Sequence, residues 1–173
     1  IDSSTLVATA DLMRRKGKFP SGRLIKPPPK FCIGGAEVPT EGKPNTEKIL
    51  NKIKTGINFF QTQYVFDKKI LKEYMKVLDD VGILEKTFFI IGLGPFTSAK
   101  SAKWMNNNLF GVNVPEKIIK RLEQSKDEKE ESKKICLELI HHFKEINGVM
   151  GVHLMGHNKE EIIAEIIQES RKN

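Results

Sequence analysis

Hydrophobic residues follow two spacings along this chain, one helical and one strand-like, and glycine or proline separates most segments. Asp2-Ser3-Ser4 can cap a helix over about residues 5–16, with Leu6, Ala10 and Met13 on one face and Gly17 at its end. A loop rich in proline and glycine follows. The apolar run Phe31-Cys32-Ile33-Gly34-Gly35-Ala36 then predicts a short strand, closed by Pro39. Ile49, Leu50 and Ile53 mark a second helix that opens after Pro44-Asn45 and stops at Gly56. Residues 58–63 predict the second strand. Asp67 caps a helix carrying Ile70, Leu71, Tyr74, Met75 and Leu78, with Gly82 at its end. Thr87-Phe88-Phe89-Ile90-Ile91-Gly92 is almost wholly apolar, the pattern of a strand buried on both faces. Thr97 can cap a helix through Met105, and Pro115 suits the first position of another. A long amphipathic helix spans roughly residues 126–146, followed by a strand over about 149–155. The last helix opens at Asn158, with Glu161 as its capping-box partner.

The order is one helix, then strand and helix four times over, with extra helical turns between the third and fourth strands. Such alternation predicts an α/β fold with a parallel sheet covered by helices. Residues 1–173 read as a single domain. Two architectures satisfy the pattern. One is a four-stranded doubly wound sheet; the other is a (β/α)8 TIM-barrel segment of about four βα units. A barrel segment leaves two unpaired strand edges and needs its other half. Every strand ends in small or polar residues: Gly34-Gly35-Ala36, Thr62-Gln63, Gly92 to Pro95, and His153 to Gly156. Small residues there let a bulky ligand approach the backbone, so a pocket is expected at the strand ends. Gln63 is the sharpest feature. An amide at the end of a buried strand is costly without partners, and it offers a heteroaromatic ring both a donor and an acceptor.

Composition narrows the classes. The net charge is +7, with pI near 9.3. However, the densest basic stretch, Lys117 to Lys134, is interleaved with Glu116, Glu123, Asp127, Glu128, Glu130 and Glu131. That is a solvated helical face with i,i+4 pairs, and no nucleic-acid motif accompanies it. Some of the lysines can still attract an anionic cofactor or substrate. No apolar run approaches the roughly 20 residues that span a bilayer. The chain opens Ile1-Asp2-Ser3-Ser4, without an initiator methionine or a signal-peptide pattern, so natural sequence is expected to precede it. Cys32, in a strand, and Cys136, in a helix, read as buried free thiols of a cytoplasmic protein, and neither has a metal-ligand partner at short spacing.

Familiar catalytic motifs are missing. Gly34-Gly35 and Gly92-Leu93-Gly94 lack the full dinucleotide fingerprint, and there is no P-loop or nucleophile elbow. His153 inside an apolar strand reads as a satisfied core histidine, His157 as a loop residue, and His141 and His142 as structural. Trp104 and Met105 read as packing residues beside the third strand's loop, a position that also suits a cofactor stack. Glu37 follows the first strand and can face the pocket, but no second carboxylate stands with it.

Taken together, Lys52, Gly56 and Thr62-Gln63-Tyr64-Val65-Phe66-Asp67 resemble the Lys…Gly-Ala…Thr-Gln-aromatic-x-Phe-Asp signature of the methylenetetrahydrofolate reductase family. Gly34-Gly35-Ala36…Pro39, Gly92-Leu93-Gly94-Pro95, Gly111-Val112-Asn113-Val114-Pro115 and Gly151-Val152-His153 also fit, so the resemblance runs from about Ser3 to the final helix. It implies the C-terminal half of an eight-stranded barrel, strands five to eight, with the N-terminal half absent. It also implies FAD at the strand ends, NADH or NADPH as reductant, and conversion of 5,10-methylenetetrahydrofolate to 5-methyltetrahydrofolate. Carried over by position, Gln63 would bond the pterin, with Met105 and Met155 beside the folate or nicotinamide. Gly35 and Ala36 would border the flavin, and Lys52 would approach its phosphates. Departures accompany these matches. The family's glutamate acid and Gly-Asp pair belong to strands this chain lacks, Ala36-Glu37-Val38-Pro39 replaces a Tyr-Pro-Glu-x-His segment, and Asn51 stands where some members carry arginine. The isolated chain is therefore expected to lack reductase activity. The alternatives are a non-catalytic half barrel that pairs with itself or another subunit, and another barrel enzyme handling pterins or corrinoids.

Overall fold

A computed structural model describes residues 2–172. Four parallel strands form one sheet in the order in which the chain makes them: β1 (Gly34–Glu37), β2 (Phe59–Tyr64), β3 (Phe88–Leu93) and β4 (Val149–Leu154). The helices are α1 (Ser3–Lys16), α2 (Thr46–Lys54), α3 (Lys68–Asp80), α4 (Ala99–Asn108), α5 (Glu116–Gln124), α6 (Glu128–Lys144) and α7 (Glu160–Ser170). Sequential strand order argues against the doubly wound sheet. Parallel crossovers are right-handed almost without exception, so strands added in one direction put every crossover helix on the same face. A doubly wound sheet reverses its strand order part-way, and this one does not. The arrangement is consistent with a segment of a β/α barrel.

Burial shows the two faces. On β2, Phe60 and Thr62 are buried while Phe59 and Gln61 are only half-buried. On β3, Phe89 and Ile91 are wholly buried while Phe88 is 38% exposed. Each face has its own aromatic stack, Phe60 on Phe89 at 5.1 Å beneath the helices and Phe59 on Phe88 at 5.7 Å on the open side. The covered face is packed by helical stripes: Leu71, Tyr74, Met75 and Leu78 of α3, Ile135, Cys136, Leu139, Ile140 and Phe143 of α6, and Ile162 and Ile166 of α7. Each such side chain contributes roughly 1.5–3 kcal/mol when fully buried.

Several boundaries differ from the sequence expectation. β1 starts at Gly34, and Phe31 and Cys32 are exposed. The Asn58 side chain accepts the Ile33 N–H at 2.9 Å, ending the ladder there, so Cys32 is neither in a strand nor buried. Cys136 is buried as expected, and burial pushes its thiol pKa up to about 12. Ser98, rather than Thr97, caps α4 in a reciprocal box with Ser101. Pro115 stands one position before α5, at its N-cap. Asn158 does not cap α7; it takes a left-handed conformation (φ 52°), and Lys159 opens the helix without a side-chain cap. Asp2 and Asp67 do cap α1 and α3, and Gly17 closes α1 in the left-handed region.

Candidate functional site

The strand ends converge on an irregularity in β2. Gln61 is paired with Ile90 and Tyr64 with Gly92, so Thr62 and Gln63 together stand opposite Ile91 alone. This is a β-bulge, a device that re-aims a side chain beside a functional site. Thr62 holds it: its Oγ1 accepts the buried Gly92 N–H at 2.8 Å, and its hydroxyl donates to the Gln63 carbonyl at 2.8 Å. The Gln63 amide is half-buried. Its Oε1 accepts the Tyr64 N–H at 3.0 Å, and its Nε2 donates to the Phe110 carbonyl at 3.5 Å. One N–H and one lone pair of the amide remain for a ligand.

Met155 lies on the same spot. A side chain at Gly92 would stand 2.6 Å from the Gln63 carbonyl and 2.7 Å from the Met155 methyl, so only glycine lets β2 and the end of β4 close over β3. The Gln63 backbone carbonyl and the Met155 methyl thus both border Gly92. Met105 is half-buried on α4 and packed against the core. Trp104, expected to pack, is 56% exposed, and His153 is half-buried rather than a core residue. Phe110 escaped the sequence reading: 84% exposed, it sits in the turn after α4 with its backbone tied to Gln63. An apolar residue outside any helical stripe and just before Gly111 was its only signal.

The glycines at the strand ends mostly serve the chain itself. Substituents on Gly34 would meet the Phe59 ring at 2.7 Å, and those on Gly35 would meet Ile57 and Phe60. Gly94 is closed by Tyr64 and the Met155 carbonyl. Only Gly151, on β4 opposite Ile90, has open space beside it among the described strand glycines. At Gly34, Gly35, Gly92 and Gly94 the missing side chain accommodates neighbouring strands and side chains.

Lys52 points into the layer between α2 and the sheet. Its ammonium donates to the Ala36 carbonyl at 2.7 Å and to Glu37 Oε2 at 2.8 Å, and lies 5.6 Å from the Phe60 ring centre. Tyr74 stands behind this pair with its hydroxyl buried and unpartnered; burial first, and the Glu37 charge second, raise its pKa. At the other side of the strand ends, Lys159 donates to the Pro95 carbonyl, tying the β3–α4 loop to the start of α7. Burial lowers the Lys159 pKa, and a cavity of about 630 Å³ opens beside it, lined by Phe96, Thr97, Lys129, His157, Glu160 and Glu161.

The family model described as methylenetetrahydrofolate reductase matches residues 23–171. The chain belongs to the methylenetetrahydrofolate reductase family. The match begins after α1, so that helix stands outside it, whereas the sequence resemblance ran from about Ser3 and included it. No curated protein matches the chain. A solved structure of a Clostridium thermocellum protein, described as uncharacterized and as binding two copies of 5-methyl-5,6,7,8-tetrahydrofolic acid, shares the fold at a TM-score of 0.54 with 20% identity. The alignment covers 86% of this chain and 55% of that one, so the chain spans little more than half of that protein's length. Methylenetetrahydrofolate reductase family members are generally flavin-dependent. The residues carried over for FAD fit it poorly: Lys52 is already neutralised by Glu37, Gly35 is backed by Ile57 and Phe60, and Asn51 adds no charge.

Proposed function

We propose that the strand ends bind the pterin ring of a reduced folate, and that residues 1–173 are the folate-facing half of a methylenetetrahydrofolate-reductase-like barrel. The observation that carries this reading is the Gln63 amide, set at the mouth by a bulge and left with a free donor and a free acceptor. A pterin edge presents the matching pair, so a single amide can both bind and orient it. Met155 over Gly92 gives the ring an apolar floor, and its thioether adapts to an aromatic face. Family membership and the folate bound by the structural neighbour support the reading.

In the complete protein this site would serve conversion of 5,10-methylenetetrahydrofolate to 5-methyltetrahydrofolate. That reaction needs a hydride, supplied through FAD from NADH or NADPH, and an acid for the departing nitrogen. Residues 1–173 would hold and orient the folate, and the complementary strands would bring the hydride donor and the acid. The chain alone is expected to bind folate and not to reduce it.

Calorimetric titration with 5-methyltetrahydrofolate tests the site. Gln63→Ala should weaken binding about tenfold, the loss of about 1.4 kcal/mol expected for hydrogen bonds made to a ligand. Equal affinity in parent and variant would remove the folate reading. A second reading rests on a separate observation, the open sheet face and its two free edges, and makes the chain a half barrel that pairs with another subunit.

A further inference from the structure

Lys52 and Glu37 form a closed unit. Two of the three ammonium donors are spent on Ala36 and Glu37, and the ammonium lies over the Phe60 ring. Both side chains are mostly buried, at 20% and 16% exposure. The lysine comes from α2 and its acceptors from the end of β1, so the pair binds helix to strand across the covered face of the sheet. A phosphate brought to this lysine would face the Glu37 carboxylate at hydrogen-bond range, a like charge where it needs an opposite one. Asn51 supplies no second cation, and the space that Gly35 leaves is taken by Ile57 and Phe60.

We infer that this half of the barrel takes a reduced folate without holding the pyrophosphate of a flavin dinucleotide, and that Lys52 with Glu37 is instead the clamp that fixes β1 to α2. The first clause rests on the folate reading above; the second stands on the contacts alone. A clamp and a phosphate ligand behave oppositely in the unliganded protein. A lysine kept free for phosphate can be removed without loss of stability, whereas one half of a buried pair cannot.

Two measurements on the 173-residue chain decide the matter. In urea unfolding, Lys52→Met and Glu37→Gln should each lower the midpoint, and the double variant should fall no further than the worse single one. In titrations followed by Trp104 and flavin fluorescence, 5-methyltetrahydrofolate should saturate while FAD and ADP should not. Lys52→Met should leave the folate affinity within about twofold, since it touches no part of the pterin site. A neutral Lys52→Met, or saturable FAD binding weakened tenfold by that substitution, would overturn the inference. Absence of folate binding in a chain whose Lys52–Glu37 coupling is intact would sink the folate reading and leave the clamp standing.

Discussion

That Gln63 needs hydrogen-bond partners was legible in the sequence, because a polar amide at the end of an apolar run is costly without them. The Tyr64 N–H and the Phe110 carbonyl supply two. The presentation of Gln63 was not legible, because a bulge is a mismatch between two strands and the partner positions of β3 do not appear in β2. Thr62 is the residue on which that presentation depends. Removing its hydroxyl orphans the buried Gly92 N–H and frees the Gln63 carbonyl. Thr62→Val should therefore destabilise the chain by about 1–3 kcal/mol in chemical denaturation. Thr62→Ser, which keeps the oxygen, should recover most of that loss. If valine is tolerated as well as serine, the hydroxyl does not hold the bulge. Glu37 shows the opposite case. Its partner is fifteen residues away across a loop, and nothing in the spacing joins a helix lysine to a strand-end acid.

At the scale of elements, apolar periodicity together with capping residues, glycine and proline placed all seven helices and four strands within a few residues. The misplaced boundaries at β1 and α7 were set by tertiary bonds: Asn58 takes the Ile33 N–H, and Lys159 reaches Pro95. Among the described residues, α1 is the one helix in which no residue is buried. Charged contacts hold it instead. Asp11 pairs with Arg14 and Arg15 at 2.6 Å each, and Arg14 donates to the Gly56 carbonyl and to Asn58. Gly56, at φ 119°, leaves the space that Asp11 fills. The Arg15 hydrogen bond first, and that from Arg14, hold the Asp11 pKa below its ordinary 3.8. A depressed carboxylate stabilises above its unfolded pKa, and that contribution is lost as pH falls through the folded one. Hydrogen exchange should therefore show residues 3–16 losing protection below about pH 4, before the sheet does. Asp11→Asn should remove that protection already at neutral pH. Simultaneous loss across α1 and the sheet, unaltered by Asp11→Asn, would count against an electrostatic tether.

For the whole molecule, strand–helix alternation implied a parallel sheet, but only the observed strand order distinguishes one winding from two. That order leaves the outer edges of β1 and β4 unpaired among the described residues, and one sheet face is less buried than the other. Phe88 at 38% and Met150 at 71% exposure lie at the start of β3 and β4, where an ordinary sheet would be covered. Open edges beside an apolar face recruit whatever can extend the sheet. Isolated residues 1–173 should therefore self-associate, with a sedimentation coefficient that rises with concentration. Phe88→Lys puts a charge on the open face without touching the helix-covered core, and should return the chain to a monomer with little change in its unfolding midpoint. A polypeptide supplying the complementary strands should bind the parent chain in place of a second copy and suppress the self-association. A parent chain that stays monomeric at its highest soluble concentration would show that the open face needs no cover. The half-barrel reading would then lose its physical reason, because four strands that are stable alone have no call for the other four.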